Sequence, residues 1–201
     1  QGIAFVLDKT QVQTCEEVSF GVVAPGATQV QLIVDTQYYE TYELENDRVA
    51  FARGFTRSGK REVAFRALVN GEWSEPCEAK LVTVTSLGQL DAPVVAAKPF
   101  YVLGRNADIE WTTVAQADGY IVYVLDAYGN ELLREETSAT SLTIRPGTWT
   151  DCAVYAITVM AYGANYDQSR GTASTEVVER MPGPVIIAPD ENIGVDGKSM
   201  G

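Results

Sequence analysis

The chain has 201 residues, room for one large β domain or two small ones, because domains cluster near ~100–150 residues. Apolar residues make up 46 % and charged residues 21 %, which permits a packed core and excludes wholesale disorder. Fifteen Lys and Arg stand against 27 Asp and Glu, a net charge of -12 spread along the chain, with no histidine; this excludes Ser-His-Asp and Cys-His catalysis and imidazole zinc ligands, and it disfavours a nucleic-acid partner.

Short runs rich in Val, Ile, Tyr and Phe recur between Gly, Pro, Asp and Asn, and helical periodicity is nearly absent. The first half predicts strands over Ile3–Leu7, Glu17–Ala24, Gln29–Asp35, Arg48–Phe55, Arg61–Val69 and Cys77–Thr85, with a weaker one over Thr41–Glu45. Pro25-Gly26-Ala27 and Ser58-Gly59 mark turns, and Asn70-Gly71 is the specific two-residue hairpin signal, since both positions tolerate positive φ. Val18, Phe20 and Val22 alternate with polar or small residues, as do Val63, Phe65, Ala67 and Val69, the pattern of half-buried antiparallel strands.

The pattern lapses between Thr85 and Ala92, and Pro93 opens a second unit, so a boundary is expected near Gln89. Strands are expected over Val94–Ala97, Asp108–Thr113, Tyr120–Asp126, Glu131–Thr137, Ser141–Ile144, Val154–Tyr162 and Thr172–Glu179. After Met181 a Pro-Gly-Pro is followed by Val185-Ile186-Ile187-Ala188-Pro189, which echoes Pro93-Val94-Val95-Ala96-Ala97 and reads as the start of a third unit. The expected organisation is one β-sandwich over residues 1–89, another over 90–181, and a linker or third module over 182–201. The start at Gln1, without a methionine, reads as a processed or trimmed end. No run of about 18 apolar residues is present, so no membrane span is expected.

The second unit resembles a fibronectin type III module. Asp91-Ala92-Pro93, Ile109-Glu110-Trp111, Gly119-Tyr120-Ile121-Val122-Tyr123 and the run Tyr155 to Tyr162 carry the likeness. The resemblance implies Trp111 as the core indole, Tyr155, Ile157, Val159 and Ala161 facing inward, and Tyr155 as a corner tyrosine whose hydroxyl returns to backbone. One departure is the loop from Pro146 to Ala153, longer than that family's spacing. The first unit resembles the immunoglobulin-like modules of bacterial secreted and surface proteins, through LDKTQVQTCEEVSFGVVAPGATQVQLIVD and REVAFRALVNGEWSEPCEAKLVTV. Together these likenesses imply an all-β chain of two tandem seven-stranded antiparallel sandwiches. They further imply a non-catalytic spacer or adhesion role in a larger secreted or surface-attached bacterial protein. Its partners would be neighbouring domains of the same polypeptide, and a protein or polysaccharide surface. The alternative is a carbohydrate-binding accessory region of a secreted hydrolase.

Three cysteines, Cys15, Cys77 and Cys152, are expected to be free thiols. With seven alternating strands Cys15 and Cys77 fall at opposite ends of the first sandwich, and Cys152 belongs to the second. No catalytic residue, cofactor or metal is expected. Glu110, Glu135 and Glu136 sit on predicted strands without a partner acid in a cleft, and Asp190 to Gly197 lacks the ligand spacing of a calcium loop. Arg48, Arg53, Arg57, Lys60, Arg61 and Arg66 crowd one hairpin region and read as a solvated face balanced by Glu40, Glu43, Glu45 and Glu62. The candidate ligand-binding residues are aromatic: Tyr38, Tyr39 and Tyr42 after the third strand, Trp149 in the long loop, and Tyr162 and Tyr166 around the last hairpin.

Overall fold

The computed structural model describes residues 2–181, 183 and 184. The tail segments read as a third-module start and as a polar connector lie outside the described residues. Every regular element among the described residues is a strand. The first half contains β1 (Ala4–Leu7), β2 (Gln11–Gln13), β3 (Val18–Val23), β4 (Gln29–Val34), β5 (Gln37–Glu43), β6 (Arg48–Arg53), β7 (Gly59–Val69), β8 (Glu72–Trp73) and β9 (Lys80–Thr85). The second contains β10 (Val95–Ala96), β11 (Phe100–Val102), β12 (Ala107–Trp111), β13 (Gly119–Leu125), β14 (Glu131–Thr137), β15 (Ser141–Ile144), β16 (Val154–Gly163) and β17 (Tyr166–Val178).

Each half builds two sheets. In the first, β1-β3-β6 faces β2-β9-β7-β4-β5, with β8 appended to β7; in the second, β10-β12-β15 faces β11-β17-β16-β13-β14. The two orders correspond strand for strand. In both, the opening stretch divides: its first part joins the small sheet, and its second part crosses to lie beside the last strand of the large sheet. That second pairing is parallel in both halves, β2 with β9 and β11 with β17. The remaining strand pairs are antiparallel.

Alternation builds the cores. Val18, Phe20 and Val22 of β3 meet Val30 and Leu32 of β4, Val63, Phe65 and Ala67 of β7, and Val82 and Val84 of β9. In the second half Ile109, Trp111 and Ile144 from the small sheet pack on Tyr120, Val122, Val124, Tyr155, Ile157, Val159 and Ala161 from the large one. The expected inward set on β16 is thus the observed one. A fully buried side chain of Val, Leu or Phe size contributes roughly 1.5–3 kcal/mol, so each half has the means to hold its own sandwich.

Turn chemistry agrees with the sequence at Asn70-Gly71, where φ is 51° and 81°. Two further hairpin turns adopt positive φ without glycine, Asp35-Thr36 (51° and 69°) and Asn46-Asp47 (52° and 64°). The first of these lets β5 begin at Gln37 rather than Thr41, with a register shift between Leu32 and Ile33. The tyrosines expected in a connection therefore lie on a strand.

Candidate functional site

The features that distinguish this chain from two independent sandwiches lie where its halves meet. The hairpin between β16 and β17 reaches into the lower loops of the first sandwich. Asn165 N–H donates to Thr14 O (3.2 Å), Leu87 N–H donates to Asn165 O (2.7 Å), and Gln168 N–H donates to Thr56 O (2.8 Å). Asp167 is the hub. Its N–H donates to Gly88 O (2.7 Å) and its carbonyl accepts from Leu90 N–H (3.0 Å), a parallel bridge between Gln89 and Asp167. Its carboxylate accepts from the N–H and hydroxyl of Ser58 and from the hydroxyl of Ser86. Partial burial pushes the Asp167 carboxyl up. The hydrogen bonds from Ser58 and Ser86, together with nearby Arg57, outweigh that effect and hold it below the ordinary carboxylate value.

The linker is fixed as well. Leu90 is buried in the second core. Gly171 of β17 faces Pro93, whose carbonyl oxygen would lie 1.7 Å from a Cβ at that position, so only glycine lets the linker lie against the strand. Gly163 is similarly constrained, with Gln116 O at 2.2 Å from a would-be Cβ. Cys15, at φ 64°, sits at this junction with its N–H on Phe55 O (2.8 Å). Burial, then Asp118, raise its thiol against a hydrogen bond from Gly163, so it stays protonated near neutrality. Cys77 lies elsewhere in the first sandwich, with its N–H on Phe65 O and its Sγ accepting from Phe65 N–H at 3.3 Å. All three cysteines are free.

Above the junction a cleft of about 480 Å³ opens between the β4–β5 hairpin of the first sandwich and the outer face of the second sandwich's large sheet. Tyr38, Tyr39, Arg57 and Arg61 line it from one side, and Tyr123, Arg134 and Arg170 from the other. Strand alternation places the latter group. Val122 and Val124 point into the core, so Tyr123 points outward, directly across from Arg134 on β14 and Thr158 on β16. The Tyr123 ring lies between the guanidiniums of Arg134 (5.9 Å) and Arg170 (5.4 Å), and Arg134 also stands 5.8 Å from Tyr39 of the other sandwich.

The six sequence candidates separate. Tyr38 and Tyr39 are exposed and border the cleft. Arg66 lies over the Tyr38 ring at 3.7 Å, and Arg53 over Tyr39 at 4.9 Å. Tyr42 is half-buried, stacked on Phe51 at 3.8 Å with its hydroxyl on Glu40. Tyr162 is half-buried, its hydroxyl on Glu136, and Tyr166 packs against the second core. Trp149 is corrected: it is 1 % exposed, deep in the second core between Tyr101 (5.9 Å) and Tyr155 (5.4 Å), and presents no face to solvent. Its loop folds back at Gly147, where φ is 94°, and burial of an indole drives that return. Tyr155 donates to Asp151 O (2.8 Å), the corner geometry the resemblance implies.

The basic cluster disperses. Arg53 pairs with Glu40 (3.0 Å), but Arg61 pairs with Asp35 (2.8 Å) and Arg66 bonds Gln31 (2.7 Å). Sequence reading missed Tyr123, Arg134 and Arg170. Period-two alternation around Val122 and Val124 was the signal that marked Tyr123 as outward.

A three-stranded sheet facing one of five strands, or six with β8 in the first half, with a first strand divided between them, defines an immunoglobulin-like or fibronectin type III-like sandwich, here in tandem. No family profile and no curated sequence matches the chain. Among solved structures it is similar to the human OSCAR ligand-binding domain, at 15 % identity over 88 % of this chain and 98 % of that one, TM-score 0.36. It is also similar to the fibronectin(III)-like modules of Clostridium thermocellum CbhA, at 12 % identity over 87 % and 93 %, TM-score 0.33. A two-domain fibronectin type III segment of chicken tenascin is similar at 13 % identity over 86 % and 97 %, TM-score 0.34.

Proposed function

We propose that the chain is a non-catalytic spacer that holds neighbouring domains of a larger secreted or surface-attached bacterial protein at a set angle. The observation that carries this is the Asp167 hub, which joins Ser58, Ser86 and Gly88 across the boundary near Gln89 and holds Leu90 of the linker as well. A free linker needs none of these bonds; a fixed bend needs several acting on one element. Burial raises the Cys15 thiol, and the sequence has no histidine to activate a serine or a cysteine, which agrees with the reading. Spin labels placed on β6 and β14 test the reading. A narrow distance distribution in solution supports it, and a broad one spanning many orientations overturns it.

A second reading, a carbohydrate-binding accessory region, is favoured by one observation: the exposed Tyr38 and Tyr39 at the cleft mouth. A glycan array with the Tyr38 and Tyr39 double alanine variant as control tests it.

A further inference from the structure

The cleft between the sandwiches reverses the sign of the chain. The protein carries -12, yet Arg57, Arg61, Arg134 and Arg170 line this space against only Asp35 and Glu131. Asp35 is already paired with Arg61. Three guanidiniums therefore face one carboxylate. Each offers a planar fork of donors that matches a carboxylate in two parallel bonds.

The cleft does not end there. A second cavity of about 570 Å³ adjoins it and shares Gln37, Arg57, Gln168 and Arg170 with it. Both volumes fall in the ~300–1,000 Å³ range of ligand sites, and together they form a groove suited to an extended ligand. Its chemistry is mixed in a particular way. The Gln168 Oε1 accepts from Thr56 (2.9 Å), which leaves the amide NH₂ to donate; Gln37 adds another amide. Amides of this kind bond hydroxyl groups in both directions. The Asp167 carboxylate in the second cavity stays charged, held by Ser58 and Ser86 with Arg57 beside it to offset it, which leaves Arg134 and Arg170 as the guanidiniums for a ligand. Tyr123 is occupied by Arg134 and Arg170, whereas Tyr38 and Tyr39, with Arg66 and Arg53 over their rings, remain exposed at the cleft mouth and keep ring surface for the C–H-bearing face of a sugar ring.

Spaced guanidiniums, amides and tyrosine rings along one groove match a polymer that alternates sparse carboxylates, hydroxyls and apolar ring faces. We propose that this inter-module groove binds an acidic polysaccharide built from uronate sugars, with Arg134 and Arg170 taking carboxylates and Tyr39 a ring face. The spacing also disfavours a polyphosphate, whose dense charge the acidic remainder of the chain repels. The proposal deepens the carbohydrate-binding reading and rests on the fixed junction; a narrow spin-label distribution without uronate binding overturns the groove's ligand and leaves the spacer reading standing.

The test is calorimetric titration of the whole chain with tetramers of galacturonate and glucuronate, with cellotetraose as the neutral match and a single-stranded oligonucleotide as the phosphate match. At least one uronate tetramer is expected to bind, at least about tenfold tighter than cellotetraose, with affinity falling as salt rises. The double variant Arg134→Ala/Arg170→Ala, at two exposed positions, is expected to lose at least about tenfold with an unchanged melting temperature. Tyr39→Ala, on the other sandwich, gives a second reading of the same site through a several-fold loss. Failure of both uronates to bind overturns the proposal. So does equal binding of cellotetraose, equal or tighter binding of the oligonucleotide, or uronate binding that neither variant weakens.

Discussion

In the first sandwich the centre of the core is phenylalanine: Phe5 and Phe20 stand edge-on to Phe65, at 5.0 and 6.1 Å, and Phe51 stacks on Phe20 at 4.9 Å. In the second the large aromatic rings of the core are Trp111, Trp149, Tyr101, Tyr120 and Tyr155, several of them at other places in the topology. The difference is more than ring size. Tyr101 donates to Asp108 O (2.9 Å), Tyr120 accepts from Val114 N–H (2.9 Å), and Tyr155 donates to Asp151 O (2.8 Å). Tyr101 also accepts from Lys98 N–H (3.1 Å), so each hydroxyl ties a loop to the core. The first sandwich closes its connections with tight positive-φ turns instead, at Asp35-Thr36, Asn46-Asp47 and Asn70-Gly71. One strand order thus tolerates two ways of fixing its loops: positive-φ turns in the first half, and buried phenols beside such turns in the second.

The largest effects should come from emptying each core. Trp149→Ala and Phe65→Ala each remove a ring that is 1 % exposed or less, at an expected cost of about 3–5 kcal/mol. Chemical denaturation followed separately in each half should show only the mutated sandwich weakened; loss of both together would mean that they unfold as one unit.

Next comes the hinge between them. Asp167→Ala removes a carboxylate with three partner bonds and should weaken the coupling by about 1–2 kcal/mol, broadening the distribution of inter-module distances while leaving each sandwich folded. Acid should do the same. Because the native Asp167 carboxyl lies below the ordinary value, near ~3.9, its contribution is complete above that pH and is lost as pH falls through the native value. Scattering profiles recorded stepwise from pH 7 down through the acid range below the ordinary carboxylate value would read this, and Asp167→Asn should remove most of the pH dependence.

The smallest effect sharpens the contrast of loops. Tyr155→Phe keeps the ring and deletes the bond to Asp151, at about 0.5–1.5 kcal/mol. Hydrogen exchange should rise in the 146–153 loop and stay level throughout the first sandwich.

Much of the framework was legible because alternation is local. Glu131–Thr137 and Ser141–Ile144 match to the residue, and Trp111 and Tyr155 take the places that the resemblance implies. What escaped is non-local. Gln11–Gln13 has one buried residue, Val12, and Phe100–Val102 one, Tyr101. Both pair with strands about 70 residues on, so neither lies beside a turn that would announce it. The early part of β17, Tyr166 to Gly171, is polar and was read as loop; its polar groups serve the junction, which no local pattern encodes. Trp149 shows the same limit from the other side, since a loop address says nothing about whether a side chain returns to the core. Half of the cleft, Tyr38 and Tyr39, was named from aromatic clustering. The arginines opposite were not, because they become neighbours only once the halves are placed.

The divided opening strand has a mechanical consequence. β2 runs parallel to β9, and the bonds from Thr14 N–H to Thr85 O and from Thr83 N–H to Thr10 O prolong that pairing. Tension applied at the two ends of the module drags such a pair in opposite directions along its own length. Its cross-strand bonds are then loaded together rather than unzipped in turn. β11 repeats the arrangement beside β17. Single-molecule stretching should therefore find two sharp rupture events of similar force, one for each sandwich.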